Sequence, residues 1–408
     1  MEKVKDRFLR YTAVDTQSAE ADCVPSTAKQ FNLARMLRDE LKGMGAADVR
    51  LDEEHAYVYA FLPATTDDVI PTLGFIAHMD TSPALSGENV KARCIPDYDG
   101  KDICLNAEKE IFMRTEDFPA LAGYKGKELI VTDGITLLGA DDKAGVAEIM
   151  CMAEYLLAHP EIPHGRIAIG FTPDEEVGRG VDFFDIPAFG AESAYTVDGG
   201  ALGGIEYETF NAASARVTIR GKSIHPGDAK NKMLNALRVA AELDRLLPEA
   251  ERPEHTEGYE GFYHLDALNG SVEEAVMDYI IRDHDREKFE ARKQFFAACC
   301  AFLNSKYGEG CIRADIRDSY YNMKDILKDH MELVERACSA MREIGVEPVI
   351  TPVRGGTDGC RLSYDGLPCP NLCTGGHNYH GKYEYVVVES MEKVVELLIT
   401  LEIGRAHV

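Results

Sequence analysis

Residues 166–178 read Arg-Ile-Ala-Ile-Gly-Phe-Thr-Pro-Asp-Glu-Glu-Val-Gly, an apolar run that leads into an acidic turn. The run over 166–171 predicts a short buried strand, because apolar stretches of this length followed by turn residues are typical of sheet interiors. Glu175 and Glu176 then stand just past the end of that strand, where open α/β sheets bind their ligands. By itself, an adjacent glutamate pair is also typical of a solvated helix start.

The first half of the chain alternates strands with helices. Further apolar strands are predicted over 56–62, 72–77 and 194–197, and helices over 26–44 and 143–158. Ser26 is placed to cap the first of these helices. The alternation predicts an α/β domain with a mixed, mostly parallel sheet and helices on both faces. We assign residues 1–209 to the first part of this catalytic domain.

A second pattern begins near residue 210. Strands are predicted over 213–220, 261–268, 271–282 and 311–318, with helices over 231–247 and 285–303. This β-α-β-β-α-β order predicts an α+β unit with helices on one face of an antiparallel sheet. We expect residues 210–322 to form an inserted lid domain and residues 323–402 to complete the catalytic domain. Residues 403–408 match one reading frame of a common sequencing adapter, and we interpret them as a non-native tail.

The composition narrows the class of partner and the compartment. The formal net charge of the 408-residue chain is -26, which disfavours nucleic acid or an anionic membrane as a partner, since both require a basic face. The 11 cysteines are scattered without a C-x-x-C pair, which indicates reduced thiols in a cytoplasmic protein. The first residues lack the apolar core of a signal peptide, and no apolar run reaches the length of a membrane span.

Histidines and aspartates elsewhere in the chain form a candidate metal site with the glutamate pair. The residues concerned are His78, Asp80, Asp141, Asp198 and His380. Because His78, Glu175 and Asp198 each follow an apolar strand, we expect them at one edge of the same sheet. Carboxylate and imidazole ligands without thiolates suit zinc, cobalt or manganese.

The ligand count fits two metal ions that share one carboxylate. The set is His78 and Asp198 for one ion, Glu176 and His380 for the other, and Asp141 between them. One glutamate of the adjacent pair can bind metal while its neighbour faces the water as a general base, and Asp80 can orient the His78 ring. Two alternatives stay open, since Asp141 and Asp142 are also typical of a helix cap and His377 competes with His380.

These stretches resemble the peptidase T family, the tripeptide aminopeptidases of the dizinc aminoacylase and carboxypeptidase superfamily. The similar motifs are Gly-Phe-Ile-Ala-His-Met-Asp-Thr at 74–81, Leu-Gly-Ala-Asp-Asp-Lys-Ala-Gly at 138–145, Thr-Pro-Asp-Glu-Glu-Val-Gly at 172–178, Tyr-Thr-Val-Asp-Gly-Gly at 195–200, and His380-Gly381. Three further stretches resemble peptidase T in particular, beyond what the superfamily shares. They are residues 204–212, 279–286 and 353–359. The resemblance extends over nearly the whole chain and fails only at the tail.

The resemblance implies a dizinc aminopeptidase that releases the N-terminal residue of tripeptides. It implies two Zn²⁺ ions per chain, with Co²⁺ or Mn²⁺ as substitutes, and Glu175 as the general base for a metal-activated water. It further implies that His225 stabilises the oxyanion, that Arg282 and Arg354 hold the peptide carboxylate, and that a cis peptide follows Asp141. The sequence is compatible with a homodimer through the lid domain.

Other functions remain compatible with the same residues. A carboxypeptidase, a dipeptidase or an N-deacylase on this scaffold is the nearest alternative. An inactive homologue that binds metal or peptide is a more distant one, because the predicted base, Glu175, is present.

We expect the lid domain to close over the substrate and measure its length, which accounts for a preference for tripeptides.

Overall fold

The computed structural model describes residues 1–403, so all of the predicted tail except Ile403 lies outside the described residues. The chain divides into two compact units. Among the described residues, the first unit comprises Met1–Tyr207, Ile326–Thr351 and residues 357–403. The second comprises Glu208–Asp325 and the short segment Pro352–Gly356.

The helices are numbered in chain order. They are α1 (Val4–Thr12), α2 (Gln30–Met44), α3 (Ala140–Ala158), α4 (Ile186–Phe189), α5 (Ala236–Leu246), α6 (Arg286–Tyr307), α7 (Lys324–Leu327), α8 (Met331–Glu343), α9 (Asp358–Tyr364) and α10 (Val388–Ile403). Within the described residues, no helix is both long and apolar enough to span a membrane.

The strands are numbered in the same way. They are β1 (Ala47–Leu51), β2 (Val58–Leu62), β3 (Leu73–His78), β4 (Arg93–Ile95), β5 (Ile103–Asn106), β6 (Ile111–Met113), β7 (Leu129–Val131), β8 (Ile167–Thr172), β9 (Ser193–Gly199), β10 (Gly204–Glu206), β11 (Asn211–Arg220), β12 (Phe262–Gly270), β13 (Glu274–Asp283), β14 (Ile312–Tyr320), β15 (Val349–Ile350), β16 (Asn371–Cys373), β17 (Gly376–His377) and β18 (Tyr385–Val387).

A mixed sheet organises the first unit. Its order within residues 1–403 is β1-β2-β8-β3-β9-β16-β10-β15, and the central strands β8, β3, β9 and β16 run parallel. Residues of β2 alternate between two apolar clusters, with Val58 and Ala60 in one and Tyr59 and Phe61 in the other. Because successive side chains of a strand point to opposite faces, both faces of this sheet are covered. The predicted α/β fold with helices on both faces is therefore confirmed.

An antiparallel sheet forms the second unit. Its order is β12-β13-β11-β14, and alternate residues of β11 such as Val217 and Ile219 are buried. These side chains belong to an apolar cluster that includes Val239 of α5 and Phe296 of α6. The helices therefore cover one face of the sheet, as the β-α-β-β-α-β pattern predicts. The predicted α+β class of this unit is confirmed.

Two predicted helices begin later than expected. The helix predicted over 26–44 begins at Gln30, because the Ser26 hydroxyl donates to the carboxylate of Asp174 rather than capping the helix. The helix predicted over 231–247 begins at Ala236, where the side chain of Asn235 accepts from the Leu237 amide and supplies the cap. Two small sheets, β17-β18-β7-β4 and β5-β6, were not predicted.

Candidate metal centre

Three neighbouring parallel strands bring the predicted ligands to one edge of the sheet. β3 ends at His78, which pairs in register with Thr172 at the end of β8. Asp198 lies next to the end of β9, on the other side of β3. The acidic turn Glu175–Val177, a short 3₁₀ helix, follows β8 directly. The expectation that these side chains share one sheet edge therefore agrees with the structure.

Asp141 lies between two histidines. One oxygen, Oδ1, is 2.9 Å from Nε2 of His78, and the other, Oδ2, is 3.0 Å from Nε2 of His380. The His380 ring nitrogen is also 2.9 Å from Oε2 of Glu176, while the His78 ring nitrogen is 3.5 Å from Oδ1 of Asp198. A carboxylate with one oxygen on each side is arranged as a bridge between two sites.

Within residues 1–403, the side-chain atoms that could bind a metal ion form two overlapping groups. In each group these atoms lie within 4.8 Å of one another. One group is His78, Glu175 and Asp198, and the other is His78, Asp141 and Glu176. Glu175 thus lies close to the residues predicted to ligate one ion. Its neighbour Glu176 falls in the second group with His78 and the predicted bridge Asp141. Glu176 contacts His380, the other predicted ligand of the second ion, through Oε2.

Asp80 connects His78 to the acidic turn. Its backbone carbonyl is 3.1 Å and its Oδ1 is 3.3 Å from Nδ1 of His78, so both are near enough to orient the ring. The same carboxylate accepts from the backbone amides of Glu175 at 3.0 Å and Glu176 at 3.3 Å. The buried Asp80 therefore holds both the histidine and the glutamate pair.

Burial raises the pKa of two acidic side chains of the centre, Asp198 and Glu175. Burial raises the pKa of Asp198 to about 8, even though His78 lowers it. It also raises the pKa of Glu175 well above the usual range, and the neighbouring Asp198 carboxylate adds to that effect. Hydrogen bonds to Asp141 and Glu176 raise the pKa of His380 to about 11. Burial acts in the same direction on Asp141, but hydrogen bonds from His380 and His78 outweigh it and hold the pKa of that carboxyl below its usual range.

The residues present fit a pair of divalent cations. Oε1 of Glu176 is buried and has no hydrogen-bond partner, although Oε2 of the same group contacts His380. A buried acceptor without a partner is costly unless it coordinates something. The donor set is imidazole and carboxylate only, which is the chemistry of zinc, cobalt and manganese sites.

The structure also separates the two histidines between which the sequence left a choice. Nε2 of His377 is 2.8 Å from the hydroxyl of Tyr124, and its ring stacks on Tyr385 at 4.7 Å. Burial lowers the pKa of His377 to about 4. His377 therefore contacts an aromatic cluster, whereas His380 contacts the carboxylates.

Several residues that support the site were given no role by the sequence. Asp142, joined to Asp141 by a cis peptide bond, accepts from the amides of His78 and Gly145, both at 3.2 Å. Asn371 accepts from the Asp198 amide at 3.2 Å. The Asp-Asp pair was visible in the sequence, but nothing in the sequence around Asn371 marks it, because its partner is distant in the chain.

The remaining predicted residues belong to the second unit. His225 accepts from the Gly227 amide at 3.2 Å and is exposed. Arg282 donates to the carbonyls of Ala213 and Ile281, both at 3.1 Å.

Arg354 is tied to a loop of the same unit. Its guanidinium donates to the carbonyls of Gly258 and Glu260 and to the Thr256 hydroxyl, at 2.8–2.9 Å. It also lies over the ring of Phe210, 5.1 Å from the centroid. Its donors are thus already engaged within this unit.

Comparison with known proteins gives consistent matches over nearly the whole chain. A model of the M20-type peptidase dimerisation domain matches residues 207–311. The peptidase T of Caldanaerobacter subterraneus subsp. tengcongensis is 55% identical over 402 residues, covering 98% of each chain. The solved aminopeptidase PepT of Bacillus cereus is 25% identical with a TM-score of 0.76, covering 99% of this chain and 98% of that one. A tripeptidase structure from Staphylococcus aureus shares the fold, with 21% identity, a TM-score of 0.80 and coverage of 100% and 98%.

Proposed function

The chain belongs to the peptidase T family of metallo-aminopeptidases, and from that premise we propose that it releases the N-terminal residue of tripeptides. The observation that supports the catalytic part of this proposal most directly is the position of Asp141. Its two carboxylate oxygens lie 2.9 Å and 3.0 Å from the ring nitrogens of His78 and His380. That arrangement suits a hydrolase with a dinuclear centre.

We propose that two zinc ions occupy the centre, with cobalt or manganese as substitutes. His78 and Asp198 would hold one ion, Glu176 and His380 the other, and Asp141 would contact both. When bound, such a pair lowers the pKa of a shared water and polarises the carbonyl of the scissile bond. The buried, unpartnered Oε1 of Glu176 supports its assignment as a ligand.

Glu175 is the proposed general base. Its backbone amide is fixed by Asp80 at 3.0 Å, so its side chain is held beside His78 and Asp198. In the proposed reaction, Glu175 accepts a proton from the attacking water and returns it to the amine that leaves. Asp80 positions the base and the His78 ring but does not exchange protons itself.

The substrate-binding residues are proposed from the family resemblance. Arg282 and Arg354 are assigned to the terminal carboxylate of the peptide, since a guanidinium binds a carboxylate through two parallel hydrogen bonds. His225 is assigned to the oxygen that becomes negatively charged in the transition state. Because Arg354 already donates three hydrogen bonds, binding a carboxylate through it requires that some of these be exchanged.

The proposal includes a compartment, a substrate class and an assembly. We place the enzyme in the cytoplasm, where its 11 free cysteines stay reduced. Its substrates are short peptides, and neither nucleic acid nor a membrane is a partner. We further propose a homodimer through residues 210–322, a lid domain inserted into a catalytic domain of 1–209 and 323–402.

A pair of variants tests the division of the two glutamates. Glu175→Gln should retain both metal ions and lose nearly all turnover of a tripeptide such as trialanine, because the amide cannot accept the proton. Glu176→Gln, its matched control, should bind less metal. Metal content by elemental analysis and kcat measured on the same preparations separate the two effects. Substantial turnover by a fully loaded Glu175→Gln enzyme would remove the base assignment.

A peptide panel tests the reaction class. Di-, tri- and tetrapeptides with free or acetylated amines should be hydrolysed only when the amine is free, and tripeptides fastest. Product analysis should find the first residue released. A preference for dipeptides, for blocked amines, or for release of the last residue would favour a dipeptidase, an N-deacylase or a carboxypeptidase.

A further inference from the structure

Glu384 is a buried acidic residue to which the proposed reaction gives no role. It lies four residues after His380 and immediately before β18, and its exposed fraction is 1%. Long acidic side chains are rarely buried to this extent unless they are paired. The contacts of Glu384 therefore call for an explanation.

Three backbone amides point at its carboxylate. Oε2 accepts from the amides of Leu138 at 2.7 Å and Gly139 at 2.9 Å, and Oε1 accepts from the amide of Asp141 at 3.1 Å. The Leu138 and Gly139 amides lie just before α3 and the Asp141 amide lies in its first turn, where backbone N–H groups have no acceptor inside the helix. Hydrogen bonds to an ionised acceptor are stronger than neutral ones. The carboxylate and this stretch of backbone thus satisfy each other.

The same side chain joins two loops that bear proposed ligands. Asp141 belongs to the stretch that follows β7, and His380 belongs to the loop between β17 and β18. β18 pairs with β7 through Tyr385 and Val131, so the residue after Glu384 is anchored to the strand that leads toward Asp141. Glu384 connects the same two segments a second time, because its carboxylate accepts from the amides of Leu138, Gly139 and Asp141.

We propose that Glu384 is a positioning residue that holds the Asp141 and His380 loops at a fixed separation and thereby sets the affinity of the centre for its metal ions. The separation in question is the 3.0 Å between Oδ2 of Asp141 and Nε2 of His380. This inference rests on the proposed function, because it assumes that these two side chains share a metal ion. Residues that orient ligands typically change metal affinity by about 10- to 100-fold when replaced.

Glu384→Gln is the most direct variant. The amide keeps the shape of the side chain and can still accept from Leu138 and Gly139. Its NH₂ group then faces the Asp141 amide, so two donors oppose each other where an acceptor stood. We expect zinc affinity, measured by competition with a chelator, to fall about tenfold or more. The cobalt-loaded variant should also show a changed visible absorption spectrum, and kcat should fall more than KM rises.

Glu389→Gln is the matched control. Glu389 also accepts from a backbone amide, that of Glu128 at 3.1 Å, and it lies only five residues further along the chain. It contacts no proposed ligand, so its replacement should leave zinc affinity and the cobalt spectrum unchanged. If Glu384→Gln does not fold, Glu384→Asp becomes the test. Its side chain keeps the negative charge but is one methylene shorter, so the carboxylate lies further from the three amides. It should then weaken zinc binding by the same mechanism.

The outcomes separate this inference from the proposed function. If the unmodified enzyme binds two zinc ions and cleaves tripeptides while the Glu384 variant binds zinc with unchanged affinity, only the inference is overturned. A lower Tm with unchanged zinc affinity means that Glu384 is merely structural and also overturns it. If the unmodified enzyme binds no zinc, the proposed function fails and the inference fails with it.

Discussion

At the scale of single residues, several buried carboxylates hold the backbone beside the proposed ligands. Asp80, Asp142 and Glu384 are all buried or nearly so, and each accepts from backbone amides close to a proposed ligand. A buried carboxylate needs such donors to remain stable. We therefore expect the acidic side chains that hold the backbone to matter for the centre, besides those proposed to bind metal ions.

Asp80→Asn should impair catalysis while leaving the fold intact. The amide has one acceptor oxygen where Asp80 has two, so one of the Glu175 and Glu176 amides loses its partner. We expect kcat for tripeptides to fall about 10- to 100-fold. Steady-state kinetics and near-ultraviolet circular dichroism test this. An enzyme with unchanged kcat would show that Asp80 does not position the base.

Glu206 gives the stability of the first unit a pH dependence. Burial raises its pKa to about 7 from 4.5, although the hydrogen bond from Asn371 lowers it. The folded state thus retains a proton that the unfolded chain releases. The stabilisation is fully present below pH 4.5 and is lost as the pH rises through 7.

Glu206→Gln removes this titration and can keep the contact with Asn371. The unmodified protein should therefore lose stability between pH 6 and pH 8, whereas the variant should not lose it through this group. The Tm of the variant minus the Tm of the unmodified protein should rise by a few degrees over that range. Thermal melts of both proteins at the two pH values provide the comparison. A difference in Tm that does not change with pH would contradict the assignment.

At the scale of elements, the acidic turn after β8 is held by Ser26, just before α2, and by Gln30, the first residue of α2. The Asp174 carboxylate accepts from the Ser26 hydroxyl and from the side-chain amide of Gln30, and its backbone amide donates to Gln30 at 3.2 Å. Asp174 has a φ of 54°, a left-handed conformation that an aspartate tolerates better than most residues. The turn bearing the proposed base is thus held from two directions, by Asp174 and by Asp80.

Ser26→Ala should destabilise the first unit. It removes a donor to a buried carboxylate, which costs about 1–3 kcal/mol. Chemical denaturation should show the loss as a lower midpoint. Ser305→Ala is a suitable control, since its hydroxyl donates only to the Phe302 carbonyl in an exposed part of α6. Equal effects of the two substitutions would mean that the contact between Ser26 and Asp174 stabilises the protein no more than an exposed hydrogen bond does.

The sequence predicts elements well where their apolar pattern is long or their strands are buried. The strands that end at His78 and Thr172, and the alternation along β11, were visible for that reason. Strands of two or three residues, such as β4, β7 and β17, contain too few positions for any periodicity. Their pairing depends on partners far along the chain.

The candidate site also contains residues that the local pattern predicts and residues whose contacts depend on distant parts of the chain. His78, Asp198 and Glu175 were predictable because each follows an apolar strand. Glu384 was not, since its three amide donors lie about 245 positions earlier in the chain. Only the folded arrangement reveals that contact.

At the scale of the whole molecule, we expect the charge and the second unit to govern how the chain associates. The net charge of -26 opposes close approach of two copies unless an apolar surface compensates for it. The second unit has such residues, since Phe295 is 44% exposed and Phe302 is 54% exposed on α6. The match to a peptidase dimerisation domain includes this helix.

The proposed dimer predicts a native mass of about twice the 45.1 kDa of one chain. Light scattering after gel filtration measures this mass directly. Replacing Phe295 and Phe302 together by glutamate should give a monomer, because two charges would enter an apolar contact. Phe183→Glu is the control, since Phe183 is 49% exposed but lies in the first unit. If both variants keep the doubled mass, α6 does not form the interface.

Restoring zinc to the chelated protein tests the central claim most directly. Tripeptide hydrolysis and bound zinc per chain should be measured together as zinc is added in steps. We predict no turnover without metal, a plateau at two zinc ions per chain, and release of the first residue of the peptide. Full turnover by the metal-free protein, or a plateau with no bound zinc, would contradict the account.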